Sequence, residues 1–289
     1  MHCAEAIAAL SGIDADSVQS VERIKHGLTN ESWLVNSADE RRVVRISNTE
    51  DDSLQINRAS EAIVLELVGR AGIGPEVIAC DPQRRLLVTR YMGETWSDAD
   101  TQQPENIDRV AALLRRLHDV AAPAEVQRVN LLAVIDGYLR TLDAHAVVCE
   151  MSTPTLRTYA RETASALYQD STERLCHNDV HALNIVGNDG SLRLIDWEYA
   201  GVGEPFFDLA AISIYHRYDQ PQRERLLAAY GQPGAASWRR LELACWLFDY
   251  IRDLWTAVRE LGAPGVLGDA AGWSPAGTSP TDTSADSST

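Results

Sequence analysis

The chain has 289 residues, 45% hydrophobic and 24% charged, the mix of an ordinary globular protein large enough for one or two domains. Its 42 acidic against 26 basic side chains leave a formal net charge of −16, which argues against a nucleic-acid partner, because neutralising phosphates needs a basic face. No apolar run reaches the ~20 residues that span a bilayer, and the five scattered cysteines lack the C-x-x-C spacing of a zinc knuckle or the pattern of a disulfide framework. With no basic n-region in "MHCAEAIAAL", no signal peptide and no membrane insertion are expected, and a reducing cytoplasm is the expected location.

In chain order, "SWLVNS" (Ser32–Ser37) and "RRVVRIS" (Arg41–Ser47) are β-branched runs on either side of a polar "ADE", and they predict a hairpin. Asn57 to Arg70 carries apolar residues at helical spacing and stops near glycines. "RLLVTRY" (Arg85–Tyr91) predicts another strand. Beyond it the pattern turns helical. "NIDRVAALLRRLHDV" puts Ile107, Val110, Leu114 and Leu117 on one face, and Leu131–Val148, Thr155–Tyr168 and Ala235–Leu261 also have helical periods. The expected fold is α+β: a small β-sheet lobe over residues 1–91 and a larger, mainly helical lobe over 92–261, with ligands in the cleft between them. The tail, 262–289, is rich in Ser, Thr, Pro, Gly and Ala, so it is expected to be disordered.

The chemistry concentrates in "LCHNDVHALNIVGNDGSLRLIDWEYAG", Leu175–Gly201. Asn188-Asp189-Gly190 supplies residues that tolerate positive φ, so "NIVGNDGSLRLID" is expected to fold as strand, tight turn, strand. That hairpin brings Asn184 near Asp196, with Asp179 on the loop leading in. Asp179-x-x-x-x-Asn184 followed by Asp196 is the spacing used in phosphoryl transfer, where an aspartate accepts the proton of the acceptor hydroxyl. An asparagine and a second aspartate then hold Mg²⁺ on the nucleotide phosphates. The pair His177 and His181 leaves a metallohydrolase open as an alternative. A catalytically silent module that only binds a ligand is a third.

These motifs, "CHNDVHALN" and "LIDWEYAGVGEPFFDLA" together with "GLTNESWLV" and "VVRI", resemble the choline/ethanolamine kinases and their aminoglycoside phosphotransferase-like relatives. The resemblance runs from Gly27 to about Leu261 and implies a two-lobed, protein-kinase-like fold with ATP and Mg²⁺ in the cleft. By matching position it implies Asp179 as the base and Asn184 and Asp196 as metal ligands. Arg45 would be the strand cation at the nucleotide, Glu61 its ion-pair partner, and Asn30 a further contact on the nucleotide side. Lys25, the only lysine, precedes the first of these strands, whereas Arg45 lies inside an apolar one, where an unpaired charge is costly. Two departures from protein kinases, an arginine for the strand lysine and one glycine in "HGLTNESW", are shared with choline-kinase-like enzymes.

For the acceptor, Trp246, Asp249, Tyr250 and Asp253 fall at i, i+3, i+4 and i+7 of a helix, and Trp197, Glu198 and Tyr199 lie beside the metal site. Aromatic faces and carboxylates suit a cationic alcohol. Choline or ethanolamine is the first expectation; thiamine meets the same clue, and an aminoglycoside ranks third.

Overall fold

The structure, a computed structural model, describes residues 3–24, 30–47, 54–147, 149–169, 171–187 and 192–262. Alternating burial in the first part of the chain builds one antiparallel sheet. Its strands are β1 (Val18–Ile24), β2 (Asn30–Ser37), β3 (Arg41–Ser47), β4 (Val77–Asp81) and β5 (Leu86–Arg90), in the spatial order β1-β2-β3-β5-β4. The period of two decides what each face carries. Val44, fully buried, packs with Ile7 of α1 (Cys3–Ser11) and with Trp33, Val35 and Val88 on one side. Arg45, next in the chain, points to the other side, toward α2 (Arg58–Arg70). That helix starts where the Asn57 side chain accepts Ser60 N–H at 3.0 Å, and it buries Val64, Leu65 and Val68.

The second lobe holds α3 (Asp98–Thr101), α4 (Pro104–His118), α5 (Leu131–Ala144), α6 (Pro154–Tyr168), α7 (Pro205–Tyr215), α8 (Gln220–Tyr230) and α9 (Ala235–Gly262). Two small strand pairs cross it, β6 (Arg174–Cys176) with β9 (Gly201–Gly203), and β7 (Ile185–Val186) with β8 (Arg193–Leu194). The two-lobed α+β architecture is the expected one. Helix α5 stops short of the predicted Val148 because the chain turns at Ala146, whose φ is 54°. Helix α7 had no signal of its own: Pro205 to Ser213 are all buried, so "PFFDLAAIS" shows no polar stripe against which a period can be read.

The predicted hairpin is present, pairing Ile185 with Leu194 and Val186 with Arg193. Ile195 N–H donates to the Asn184 carbonyl at 2.9 Å, which draws Asn184 and Asp196 to the same end. The turn residues Asn188-Asp189-Gly190, Lys25 and the tail beyond Gly262 lie outside the described residues. Cys80, Cys149, Cys176 and Cys245 are free thiols. No helix among the described residues is long and apolar enough to cross a membrane. Between the lobes lies a cavity of about 1120 Å³, lined from above by β2, β3 and β5 and from below by the loop after β6, the β7–β8 hairpin and α9.

Candidate active site

The loop after β6 is held from beneath by one buried carboxylate. Asp208, in the first turn of α7, accepts Asn178 N–H on Oδ1 at 2.6 Å and His177 N–H on Oδ2 at 2.9 Å. Two successive amides pinned to one carboxylate fix the chain direction just before Asp179. Asn178 takes the left-handed region (φ 67°), and its side chain donates to the Tyr199 carbonyl at 2.8 Å. Behind Asp208, His118 Nε2 lies 3.0 Å from Oδ2 and His118 Nδ1 lies 2.7 Å from the Tyr230 hydroxyl. None of these supports was anticipated. The readable signal was an aspartate inside the apolar "PFFDLAAIS", because a charge buried there needs strong partners.

His177 is fully buried, with its ring 4.6 Å from that of Trp197. Its Nε2 faces the Ile195 carbonyl at 2.9 Å, and its Nδ1 accepts Asp179 N–H at 3.3 Å. Both nitrogens are committed to the loop, and burial holds the imidazole below its usual pKa, against the nearby carboxylates. His177 is therefore a brace. The alternative left open by the sequence, a zinc pair with His181, loses its first ligand on that ground.

Asp179 faces the cavity. Tyr215 donates its hydroxyl to Oδ1 at 3.0 Å, while His181 Nε2 lies 3.5 Å and Asn184 Nδ2 3.3 Å from Oδ2. Burial opposes ionisation of Asp179, but the hydrogen bonds and charge of His181, then His177 and Tyr215, outweigh it and hold the carboxyl below its ordinary range. At neutral pH the group is a carboxylate able to accept a proton.

Asn184 also donates Nδ2 to the Asp179 carbonyl at 2.9 Å, so its carbonyl oxygen is the atom it can offer a cation. Asp196 occupies a left-handed conformation (φ 63°) and meets Arg45 Nη1 at 3.2 Å. Its carboxyl is pushed up to about 7, by burial first and then by Glu198, against the pull of Arg45. A crowd of carboxylates whose mutual repulsion raises one of them, together with an amide oxygen, is a hard oxygen set of the kind that suits Mg²⁺. The residues fit the ion.

That shift has a sign. A carboxyl raised above its unfolded range binds a proton more readily folded than unfolded, so its ionisation subtracts stability as pH climbs from about 4 to about 7. In divalent-free buffer the wild type is expected to lose melting temperature relative to Asp196→Asn across that window. Mg²⁺ with ADP should raise the wild-type melting temperature more at about pH 8 than at about pH 6. A wild-type-minus-variant difference that stays flat with pH would contradict the assignment.

On the upper wall, Arg45 Nη2 pairs with Glu61 Oε1 at 2.7 Å, so the structure brings the expected strand cation and helix acid together. Asn30 donates Nδ2 to Glu198 Oε2 at 2.7 Å, which ties the start of β2 to the segment after Asp196. Glu198 itself is 2% exposed and paired with Arg58 Nη1 at 3.0 Å.

The expected acceptor residues divide. Tyr199 lines the cavity, and its hydroxyl accepts Trp255 Nε1–H at 2.9 Å. Trp197 is a core residue with 0% exposure, donating Nε1–H to the Leu194 carbonyl at 3.0 Å, and it presents no ring to a guest. The face of Trp246, Asp249, Tyr250 and Asp253 is turned away from the cavity, which corrects the expectation for those four. Trp246 stacks on Tyr250 with centroids 5.4 Å apart and meets Tyr159 of α6 edge-on at 4.4 Å. Tyr250 donates its hydroxyl to the Met151 carbonyl at 2.9 Å, while Asp249 and Asp253 flank Arg252 at 2.7 and 3.9 Å. The face of α9 that does line the cavity is Phe248, Ile251, Arg252, Trp255 and Thr256. Helix α9 packs against α5, α6 and α7, so it carries apolar residues in several directions, and spacing alone does not say which direction holds the ligand.

The profile of the phosphotransferase enzyme family matches residues 20–243. The chain is 27% identical over 252 residues to Protein LicA of Haemophilus influenzae, spanning 81% of this chain and 72% of that protein. It is 40% identical over 97 residues to the thiamine kinase of Salmonella paratyphi B, a match covering 34% of this chain and 29% of the relative. Among solved structures, a choline/ethanolamine kinase family protein from Mesorhizobium loti superposes with a TM-score of 0.75 and 28% identity, covering 92% of this chain and 88% of the other. A two-lobed fold, one cleft holding the aspartate–asparagine–aspartate set, and these similarities converge: the chain belongs to the phosphotransferase enzyme family, as a kinase-type small-molecule transferase related to the choline/ethanolamine kinases.

Proposed function

We propose that the protein is an ATP- and Mg²⁺-dependent kinase that phosphorylates the hydroxyl of a cationic alcohol, with choline as the first candidate. The observation that carries this reading is Asp179, a carboxylate gripped by Tyr215 at 3.0 Å, standing beside a cavity wall of aromatic rings. In the reaction the acceptor hydroxyl gives its proton to Asp179 Oδ2, its oxygen bonds to the γ-phosphorus, and the bond to the ADP oxygen breaks. Arg45, held by Glu61, stands on the nucleotide side to bind phosphate oxygens. Asn184 and Asp196 would hold Mg²⁺, which supplies charge neutralisation at the β- and γ-phosphates.

The wall on the acceptor side is formed by Tyr138, Tyr199, Phe207, Tyr215, Phe248 and Trp255. Ring faces attract a quaternary ammonium through their quadrupole, an interaction worth about 2 kcal/mol when desolvated. A primary amine or an aminoglycoside leans instead on hydrogen-bond acceptors, and among the residues α9 turns to the cavity are the rings of Phe248 and Trp255 but no carboxylate. This orders choline ahead of ethanolamine and aminoglycosides. Thiamine is the second reading, favoured by the 40% identity with a thiamine kinase over 97 residues and by its own cationic ring and primary hydroxyl.

Measuring ADP release with choline, ethanolamine, thiamine and an aminoglycoside tests the reading. Choline should give the highest kcat/KM. Binding of Mg²⁺-ATP without turnover of any of them would leave a catalytically silent module in its place. Trp255→Ala and Tyr199→Ala should raise KM for choline by roughly 5- to 30-fold, the equivalent of about 1–2 kcal/mol of ring contact, with KM for ATP little changed. Trp246→Ala, off the cavity, serves as the control and should leave KM for choline unaltered.

A further inference from the structure

Arg58 was not among the residues expected at the site, yet it touches three that were. Its Nη1 lies 2.9 Å from Glu61 Oε2 and 3.0 Å from Glu198 Oε2, and its Nη2 donates to Asn30 Oδ1 at 3.2 Å. The side chain is 9% exposed and sits at the first position of α2. With Arg45 it completes a chain of alternating charge, Asp196–Arg45–Glu61–Arg58–Glu198, whose ends are two residues apart in sequence. Arg45, Glu61 and Arg58 belong to the sheet lobe, whereas Asp196 and Glu198 belong to the helical lobe. Glu61 is shared: Arg45 takes Oε1 and Arg58 takes Oε2.

The sharing makes the two guanidiniums unequal. Arg45 meets Asp196, whose carboxylate faces the cavity, so phosphate oxygens entering there compete for the same guanidinium. Arg58, about as buried as Arg45, is not part of the cavity lining, and its contacts with Glu61 and Glu198 do not involve Asp196. A fork of donors in one plane can bridge two carboxylates and an amide at once, which a point charge on a flexible stem does not do. A buried pair of this kind adds little net stability, so its use is to define one arrangement. We infer that Arg58 is an interlobe positioning residue: it couples the orientation of α2, and with it Arg45, to the placement of Glu198 beside Asp196. This rests on the kinase reading above.

The test uses the full chain and three variants, Arg58→Lys, Glu198→Gln and the double variant. Arg58→Lys keeps the charge, so its melting temperature should stay near that of the wild type, while kcat falls about tenfold from misplaced groups and KM for the alcohol holds within about threefold. In the Glu198→Gln background the same substitution should cost nothing further, because the coupling it serves is already gone. Calorimetry with Mg²⁺-ADP needs no acceptor and separates the two levels of the argument. Absence of binding by the wild type overturns the kinase reading and this inference with it. Binding by the wild type, with kcat and affinity unchanged in Arg58→Lys, overturns the inference alone, as does a full further loss in the double variant. A fall in melting temperature with kcat unchanged assigns Arg58 a merely structural role and also overturns it.

Discussion

Asp179→Asn is expected to bind Mg²⁺-nucleotide as tightly as the wild type and to lose roughly 10²- to 10⁴-fold in kcat, the range general-base catalysis supplies. The substitution is close to isosteric, and the site can accommodate it. Tyr215 still donates to the remaining oxygen, and the new amide NH₂ faces His181 Nε2, which accepts once the ring proton moves to Nδ1. Asn184 Nδ2 gives up its 3.3 Å contact but keeps the residue-179 carbonyl at 2.9 Å. The backbone that carries the residue is pinned elsewhere, by Asp208 on the amides of His177 and Asn178, so the loop should keep its shape. What is lost is the proton acceptor. Because the hydrogen bonds from His181 and Tyr215 hold the carboxyl below its ordinary range, wild-type kcat should not fall from protonation of Asp179 until pH is well into the acid region. Steady-state kinetics with calorimetry on the same preparation checks both halves. A variant with near-wild-type kcat would remove Asp179 as the base.

Asp196→Asn is expected to fail at an earlier step. Removing an outer partner of a metal ligand typically costs 10- to 100-fold in metal affinity, so replacing the ligand itself should weaken Mg²⁺-dependent nucleotide binding by more than about 100-fold. Asparagine is preferred to alanine here because the position sits at φ 63°, which asparagine tolerates and alanine resists. Arg45 loses one ion pair but keeps Glu61 at 2.7 Å, so the upper wall should stay in place. Calorimetry with and without Mg²⁺ separates the metal effect from any direct loss of phosphate contacts. Equal Mg²⁺-ADP affinity in variant and wild type would contradict the assignment of Asp196.

The sequence by itself determined what depends on near neighbours. Period-two runs produced β2, β3 and β5, the helical spacing of Ile107, Val110, Leu114 and Leu117 produced α4, and the spacing of Asp179, Asn184 and Asp196 marked three residues that the structure gathers at one end of a hairpin. Asn184 and Asp196 come to the same end because a short hairpin leaves them little choice, and a hairpin is a local object. Tertiary structure decided everything that depended on which way an element is turned. Trp197 and Tyr199 stand two apart in one tetrapeptide and both border the cavity, yet the first is fully buried and the second partly exposed. Trp246 and Tyr250 belong to a face as aromatic as that of Phe248 and Trp255, but α6 covers the first pair and the cavity lies against the second. The Arg58–Glu198 contact spans 140 residues, and Arg45–Asp196 spans 151. Periodicity reports burial without naming what does the burying, and a charge in a sequence carries no sign of its partner at that distance. Only closing the two lobes on one another brings these side chains within reach.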